Sequence, residues 1–251
     1  MKATGEYIIF IDSDDYLDAT AIEKLYNAIT HYNGDMAVCN FAKVYDSHME
    51  EKYLQMPKEK VLVCKENDDV LLKETLSFQS NLAICVFNKL FPTKLLLDSG
   101  VIFEERSDIY AEDAYFYCKI FSFVKRICIV DEPLYLYYQR ESSVTNSYKP
   151  NFVHRIINFL NGLDKYYNYK YTQSLKERAF VFLPEILANE CLLDADYKKF
   201  KENVSNKELR KWIKNIRIKN YNIKNIILYF LYMTKQYKAL YHVFNRLNKR
   251  R

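Results

Sequence analysis

Close to its start the chain runs an apolar segment, Tyr7-Ile8-Ile9-Phe10-Ile11, directly into Asp12-Ser13-Asp14-Asp15. Few folds tolerate that junction. The apolar run reads as a buried strand, and the carboxylates at its exit repel one another. They are best tolerated with a cation between them. Hard divalent ions such as Mg2+ and Mn2+ take oxygen ligands, commonly one or two carboxylates completed by substrate phosphates. In an open α/β sheet, ligands bind at the carboxyl ends of strands. The plainer role for such a turn is to solvate a loop and cap the next helix, and Asp18 is a candidate cap.

The pattern that follows is α/β. Ile22, Leu25, Tyr26 and Ile29 recur at helical spacing and predict a helix from Asp18 to Gly34. Met36 to Asn40 reads as a second buried strand, and 42–60 as irregular with a possible hairpin. Asn67 to Ser77 reads as helix, Ala83 to Phe91 as strand, and Thr93 to Ser99 as a short helix stopped by Gly100. An aromatic-rich helix opens at Glu112 and reaches Phe123. Arg126 to Val130 and Leu134 to Tyr138 read as strands separated by Asp131-Glu132-Pro133. Beyond Asn151 the period is helical, and Ser205-x-x-Glu208 fits a capping box. The expected division is an α/β portion, 1–150, and a helical region, 151–251. Only four glycines and five prolines occur, which argues against a flexible linker or a turn-rich all-β fold.

Six cysteines lie scattered, with no C-x-x-C pair and no histidines at zinc spacing, so buried free thiols in a reducing cytosol are expected. No secretory leader is visible, and no apolar run approaches the length that spans a bilayer. Charge is uneven. From Lys198 to Arg251 there are 16 Lys and Arg against Glu202 and Glu208, a surplus of +14 in a chain whose net charge is +5. The rest is therefore acidic, and the basic tail calls for an anionic partner. The run Ile226 to Met233 is the candidate contact for an anionic membrane surface.

Glu112 and Asp113 form a second acidic pair. In the first turn of a helix a carboxylate is stabilised as the anion by the helix dipole, which suits a general base. Helix capping is the simpler role for the same pair.

Taken in order, four blocks resemble family-two glycosyltransferases, the nucleotide-sugar-dependent enzymes of GT-A fold: Gly5 to Leu17, Val86-Phe87-Asn88-Lys89-Leu90-Phe91 (with Phe87 where Trp is usual), Tyr110-Ala111-Glu112-Asp113, and Pro133 to Thr145. The resemblance implies an incomplete GT-A-like, Rossmann-like mixed sheet followed by an α-helical C-terminal region. It also implies roles. Asp12 and Asp14 match the Asp-x-Asp pair, with Asp14 and Asp15 at an Mg2+ or Mn2+ ion and Asp12 nearer the donor's ribose. Asp113 matches the base, with Glu112 beside it. Asn88 and Lys89 would lie near acceptor or diphosphate, and Arg140 and Ser143 in a loop closing over the donor. The implied reaction is inverting transfer from a nucleotide sugar to a saccharide or lipid-linked saccharide in surface-polysaccharide synthesis. The implied location is the cytoplasm, peripheral on the inner face of the plasma membrane.

The family has a nucleotide-binding segment ahead of the acidic turn, and here the chain starts where that segment ends. The expectation is a C-terminal portion of such an enzyme, with a parallel strand stripped of neighbours and weak donor binding by 1–251 alone. Tyr138 and Ser142 stand where Arg and Gly are frequent. Three other functions compete. A haloacid-dehalogenase-like phosphatase would use Asp12 as nucleophile and Asp14 as acid/base, but lacks its later Gly-Asp after a strand. A nucleic-acid module would use the basic tail but has no fold signature, so no nucleic acid is expected. A non-catalytic remnant would leave the acidic motifs inert.

Overall fold

The computed structural model describes residues 3–50, 54–64, 69–82, 84–139, 148–192, 197–217 and 221–248. The chain divides into two compact units. The first comprises 1–75, 79–104 and 111–143; the second comprises 76–78, 105–110 and 144–251.

The first unit contains β1 (Tyr7–Ile9), β2 (Tyr16–Leu17), α1 (Ala21–His31), β3 (Met36–Val44), β4 (Met49–Glu50), β5 (Val61–Val63), most of α2 (Val70–Ser77), β6 (Lys89–Pro92), α3 (Thr93–Ser99), α4 (Glu112–Ile120) and β7 (Arg126–Tyr138). The strands form one mixed sheet in the order β1-β6-β3-β7-β2, with β4 against β3 and β5 against β7. Only β3 and β7 pair in parallel; the other pairings are antiparallel. The strand ahead of the acidic turn is therefore not the parallel strand expected. β1 runs antiparallel to β6, with Tyr7 opposite Pro92 and Ile9 opposite Leu90, and its residues are half-buried.

Alternation along β3 explains why the sheet is covered on both sides. Met36 and Val38 face a cluster with Phe91, Leu96, Phe116, Ile127 and Ile129. Ala37, Cys39 and Phe41 face the other, against Leu25 and Ile29 of α1. Successive side chains point to opposite faces, so both sets are buried. Gly34 delivers the chain from α1 into β3. A Cβ there would fall 2.4 Å from the Cys128 sulfur, so only glycine permits the approach.

β7 is a single strand where two were expected, and the interruption is a bulge. Cys39 lies opposite Val130 and Phe41 opposite Tyr135, so β3 advances two residues while β7 advances five. An odd excess carries later side chains of β7 to the opposite face. Ile127 and Ile129 point to one cluster; Tyr135 points to the other. Pro133, which lacks an N–H, sits within the bulge, where no ladder bond is forfeited. Fully buried Asn40 fastens it. Its Nδ2 donates to the Leu54 carbonyl (2.8 Å) and to Asp131 Oδ1 (2.9 Å), and its Oδ1 accepts from the N–H groups of Phe41 and Leu54 (both 2.9 Å).

The second unit is helical: α5 (Phe152–Tyr166), α6 (Thr172–Glu190), α7 (Tyr197–Val204), α8 (Lys207–Ile213), α9 (Ile223–Met233) and α10 (Tyr237–Asn248). Its core includes Phe159, Leu163, Leu183, Leu187, Phe200, Leu209 and Trp212. The expected capping box at Ser205 is displaced by one residue. Asn206 is the cap, its Oδ1 accepting from the N–H groups of Glu208 (2.9 Å) and Leu209 (3.1 Å). Asn caps at least as well as Ser, so the local geometry decides. The cysteines are free thiols, five buried and Cys64 half-buried, as expected.

Since Asn40 satisfies four polar groups inside the sheet, Asn40→Leu leaves buried donors and acceptors unpaired. It should lower unfolding free energy by about 2–4 kcal/mol in urea titration. A loss below about 1 kcal/mol would show that the bulge holds without it.

Candidate active site

After β1 the chain turns, with the Asp15 N–H donating to the Asp12 carbonyl at 3.1 Å. The turn is clamped to β7 by one phenol. Tyr135 Oη accepts the Asp12 N–H at 3.2 Å and donates to Asp15 Oδ2 at 2.5 Å. Asp15 Oδ1 accepts the Tyr138 N–H at 2.9 Å. β2 then pairs with β7, Tyr16 opposite Leu136. Asp15 is thus buried, and both of its oxygens are engaged within the protein. Burial raises its pKa, the bonds from Tyr135 and Tyr138 pull it down, and Asp12 and Asp14 push it up; the net direction is upward. Asp12 is exposed and Asp14 half-exposed. Asp18 is not the helix cap expected: Thr20 holds the N-cap position, and Asp18 Oδ1 accepts from the N–H (2.8 Å) and hydroxyl (2.6 Å) of Thr20.

Asp113 enters on the first turn of α4, behind Ala111, whose backbone is left-handed at φ 52°. A β-carbon makes that conformation costly by about 1–2 kcal/mol, and such strain clusters at functional sites. The Asp113 carboxyl is raised from its ordinary value. Burial is the largest cause, the Ala114 N–H opposes it, and the charges of Glu112 and Asp12 add to it. The helix dipole was expected to favour the anion; desolvation and two like charges nevertheless set the net direction upward. The contribution of Asp12 is the telling one. Two acidic segments far apart in sequence stand close enough within the first unit for one carboxylate to disfavour ionisation of the other.

Asn88 and Lys89 are fully buried, so neither side chain opens to solvent as a diphosphate or acceptor contact would. Asn88 Nδ2 donates to the Cys39 carbonyl (2.6 Å), while the Asn88 carbonyl accepts the Cys39 N–H (3.0 Å). Lys89 Nζ donates to Asn88 Oδ1 at 2.7 Å and sits 4.6 Å above the Tyr117 ring. Burial lowers its pKa, against the opposing influence of Cys85, Cys39 and Asp113. Lys89 is thereby a buried amine within electrostatic reach of the Asp113 carboxyl. Cys85 is no nucleophile, since burial pushes its thiol up to about 11. Phe87 supports the clamp from behind: its ring lies 4.5 Å from that of Tyr135 and stacks on Tyr137 at 5.8 Å.

Arg140 and Ser143, with Ser142 and the rest of their loop, lie outside the described residues. Tyr138 lies inside them. Its hydroxyl donates to Asp46, so it does not stand in for an arginine directed at a phosphate. Sequence reasoning gave no site role to Tyr135 or Asn40, and noted Tyr138 only as standing where Arg is frequent.

Among the described residues no group of three or more His, Cys, Asp or Glu side chains is arranged to hold a metal by itself. The donors present at the turn are the carboxylates of Asp12 and Asp14. They suit a hard divalent ion whose shell is completed by phosphate oxygens and water, not an all-protein cage.

Comparison with known proteins gives the same direction throughout. Residues 1–90 match the family model for glycosyl transferase family 2. The chain is 25% identical over 168 residues to glycosyltransferase GlyA of Streptococcus pneumoniae, spanning 63% of this chain and 22% of that protein. It is 27% identical over 210 residues to the uncharacterized glycosyltransferase EpsJ of Bacillus subtilis, spanning 80% and 60%. The chain thus covers less than two thirds of the length of either relative. In fold it is similar to Staphylococcus aureus TarS, residues 1–349, solved in complex with UDP-GlcNAc. The TM-score is 0.61 at 17% identity, covering 99% of this chain and 69% of that one. Residues 1–90 are thus similar to glycosyl transferase family 2, and the chain has a GT-A-like mixed sheet followed by a helical C-terminal region.

Proposed function

We propose that this chain carries the acid–base side of an inverting sugar transfer, from a nucleoside-diphosphate sugar to a hydroxyl of a saccharide or lipid-linked saccharide in surface-polysaccharide synthesis. One observation supports it above the rest: Asp113 feels the charge of Asp12, so the base and the acidic turn share one neighbourhood. The donor class is taken from the uridine diphosphate sugar held by TarS. We place the reaction in the cytoplasm, at the inner face of the plasma membrane. The family-model match over residues 1–90 favours this reading over the phosphatase alternative.

In this reading Asp113 accepts the proton of the acceptor hydroxyl. The hydroxyl oxygen forms a bond to the anomeric carbon from the face opposite the diphosphate. The carbon–oxygen bond to the diphosphate breaks, and its electron pair leaves with the nucleoside diphosphate. Inversion follows from the single displacement. A raised pKa brings the base closer to working pH and strengthens it as a proton acceptor. Glu112 and Asp12 supply part of that shift. The Ala114 N–H opposes it.

Asp14 is the proposed direct ligand of an Mg2+ or Mn2+ ion. Asp15, whose oxygens already accept from Tyr135 and Tyr138, sets the position of Asp14. When bound, the ion neutralises charge developing on the leaving diphosphate. Asp12 is assigned to the donor ribose, and Arg140 and Ser143 to the donor side. The planar fork of Arg140 suits phosphate oxygens.

Transfer of labelled sugar tests the base. Asp113→Asn should lower kcat by about 10²- to 10⁴-fold with folding intact. Unchanged turnover would remove Asp113 from the reaction.

The pH profile gives an independent reading. Only ionised Asp113 is competent, so kcat/KM falls as pH drops through its pKa, which lies above the ordinary carboxylate value. Glu112→Gln removes a like charge and lowers that pKa. The acid limb should move to lower pH, and a shift the other way would contradict the assignment.

Asp14→Asn should raise the Mn2+ concentration needed for half-maximal transfer by about tenfold or more. Chelation should abolish transfer by the parent chain.

A further inference from the structure

The apolar run in the tail does not present a continuous greasy surface. α9 turns Tyr232 fully inward, where its hydroxyl donates to the Val204 carbonyl at 3.0 Å, and Tyr229 meets Phe180 edge-on. What remains outside is a ridge. Ile223, Ile227 and Phe230 are 68%, 52% and 55% exposed. At about 100° per residue these three fall within roughly 60° of one another, opposite Tyr232. α10 adds Val243 and Leu247, each 50% exposed and one turn apart. Single exposed apolar residues are ordinary, but an aligned set on one helix marks a surface that is covered in use.

The surrounding charge says by what. From Asn222 to Asn248 the chain carries Lys224, Lys235, Lys238 and Arg246 and no Asp or Glu. All four of these cations belong to exposed residues. α9 is also held in place. Arg210 Nη1 donates to the Tyr232 carbonyl (2.9 Å) and Nη2 to the Met233 carbonyl (3.2 Å), so a guanidinium caps the negative end of the helix dipole. The ridge therefore belongs to a fixed helix. Among the described residues no helix is long and apolar enough to cross a membrane. A second copy of the chain is a poorer occupant. Five side chains fall well short of the about 800 Å² per partner that a stable interface buries, and the like charges would face each other.

We propose that α9 lies in the headgroup layer of an anionic lipid surface, with Ile223, Ile227 and Phe230 inserted toward the acyl chains and the lysines and arginine beside them on the anionic headgroups. Apolar insertion and electrostatic attraction add in such binding. The inference rests on the second unit alone and not on the sugar-transfer reading, because lipid binding is measured without donor or acceptor.

The test is flotation of the full chain with vesicles of phosphatidylglycerol and phosphatidylcholine, against vesicles of phosphatidylcholine alone. At low salt the chain should float with the anionic vesicles only, and half-molar salt should release most of it. Ile227→Asn combined with Phe230→Asn should cut binding by about tenfold or more. Lys224→Glu combined with Lys238→Glu should weaken binding by about fivefold per position. Phe230→Trp keeps the ridge apolar and reports depth: its emission should shift to the blue on anionic vesicles and be quenched by brominated acyl chains. Three results would each overturn the proposal: no flotation at low salt, ridge variants that bind like the parent, or a dimer in sedimentation velocity that the ridge variants dissolve.

Discussion

The hydroxyl of Tyr135 sits between two ends of the acidic turn, accepting an N–H from Asp12 and donating to the carboxylate of Asp15. It ties the turn to β7 at both ends. Tyr135 reaches the turn because the bulge in β7 has carried it to the face occupied by α1 and Phe41. The bulge in turn is fastened by Asn40. A chain of cause thus runs from one buried amide, through strand parity, to the direction of a carboxylate. Bulges recur next to active sites for this reason: they re-aim a side chain without changing the sheet around it.

Around Asp113 several electrostatic effects compete, and their order decides the chemistry. The α4 dipole and the Ala114 N–H favour the anion. Burial, Glu112 and Asp12 favour the acid, and they win. A first-turn dipole contributes about 0.3–1 kcal/mol near a surface, whereas desolvation of a carboxylate can move its pKa by several units. The left-handed Ala111 that starts α4 shows where the fold accepts local strain to set this residue in place. Buried Lys89 donates to Asn88, whose own amide ties this segment to the Cys39 carbonyl of β3. Structure and electrostatics therefore meet in one residue that sequence reasoning had placed at a ligand.

The two units use charge differently. In the first, the like charges of Glu112 and Asp12 add to burial in raising the pKa of Asp113. In the second, many cations lie on exposed helix faces, while Arg178 is fully buried and Arg210 turns onto the end of α9. Total charge says nothing about that distinction, since it depends on which residues the helices turn inward.

Much was legible in the linear chain. The strand–acid junction, the α3 helix with its left-handed Gly100 stop, the switch to helical period after Asn151 and the order of family blocks are local patterns, set by side-chain volume, backbone freedom and periodicity. They determined the α/β class, the family resemblance and the acidic residues worth attention. The tertiary structure alone decided that β1 is antiparallel, that β7 carries a bulge, that Asn88 and Lys89 face inward, that Asn206 caps α8, and that the outer ridge of α9 comprises Ile223, Ile227 and Phe230. The reason is physical. A periodic pattern reports which residues avoid water, but hydrogen-bond partners such as Tyr135 and Asp15, or Asn40 and Asp131, are joined only when distant strands meet. Burial, and with it the pKa of Asp113, exists only once they have.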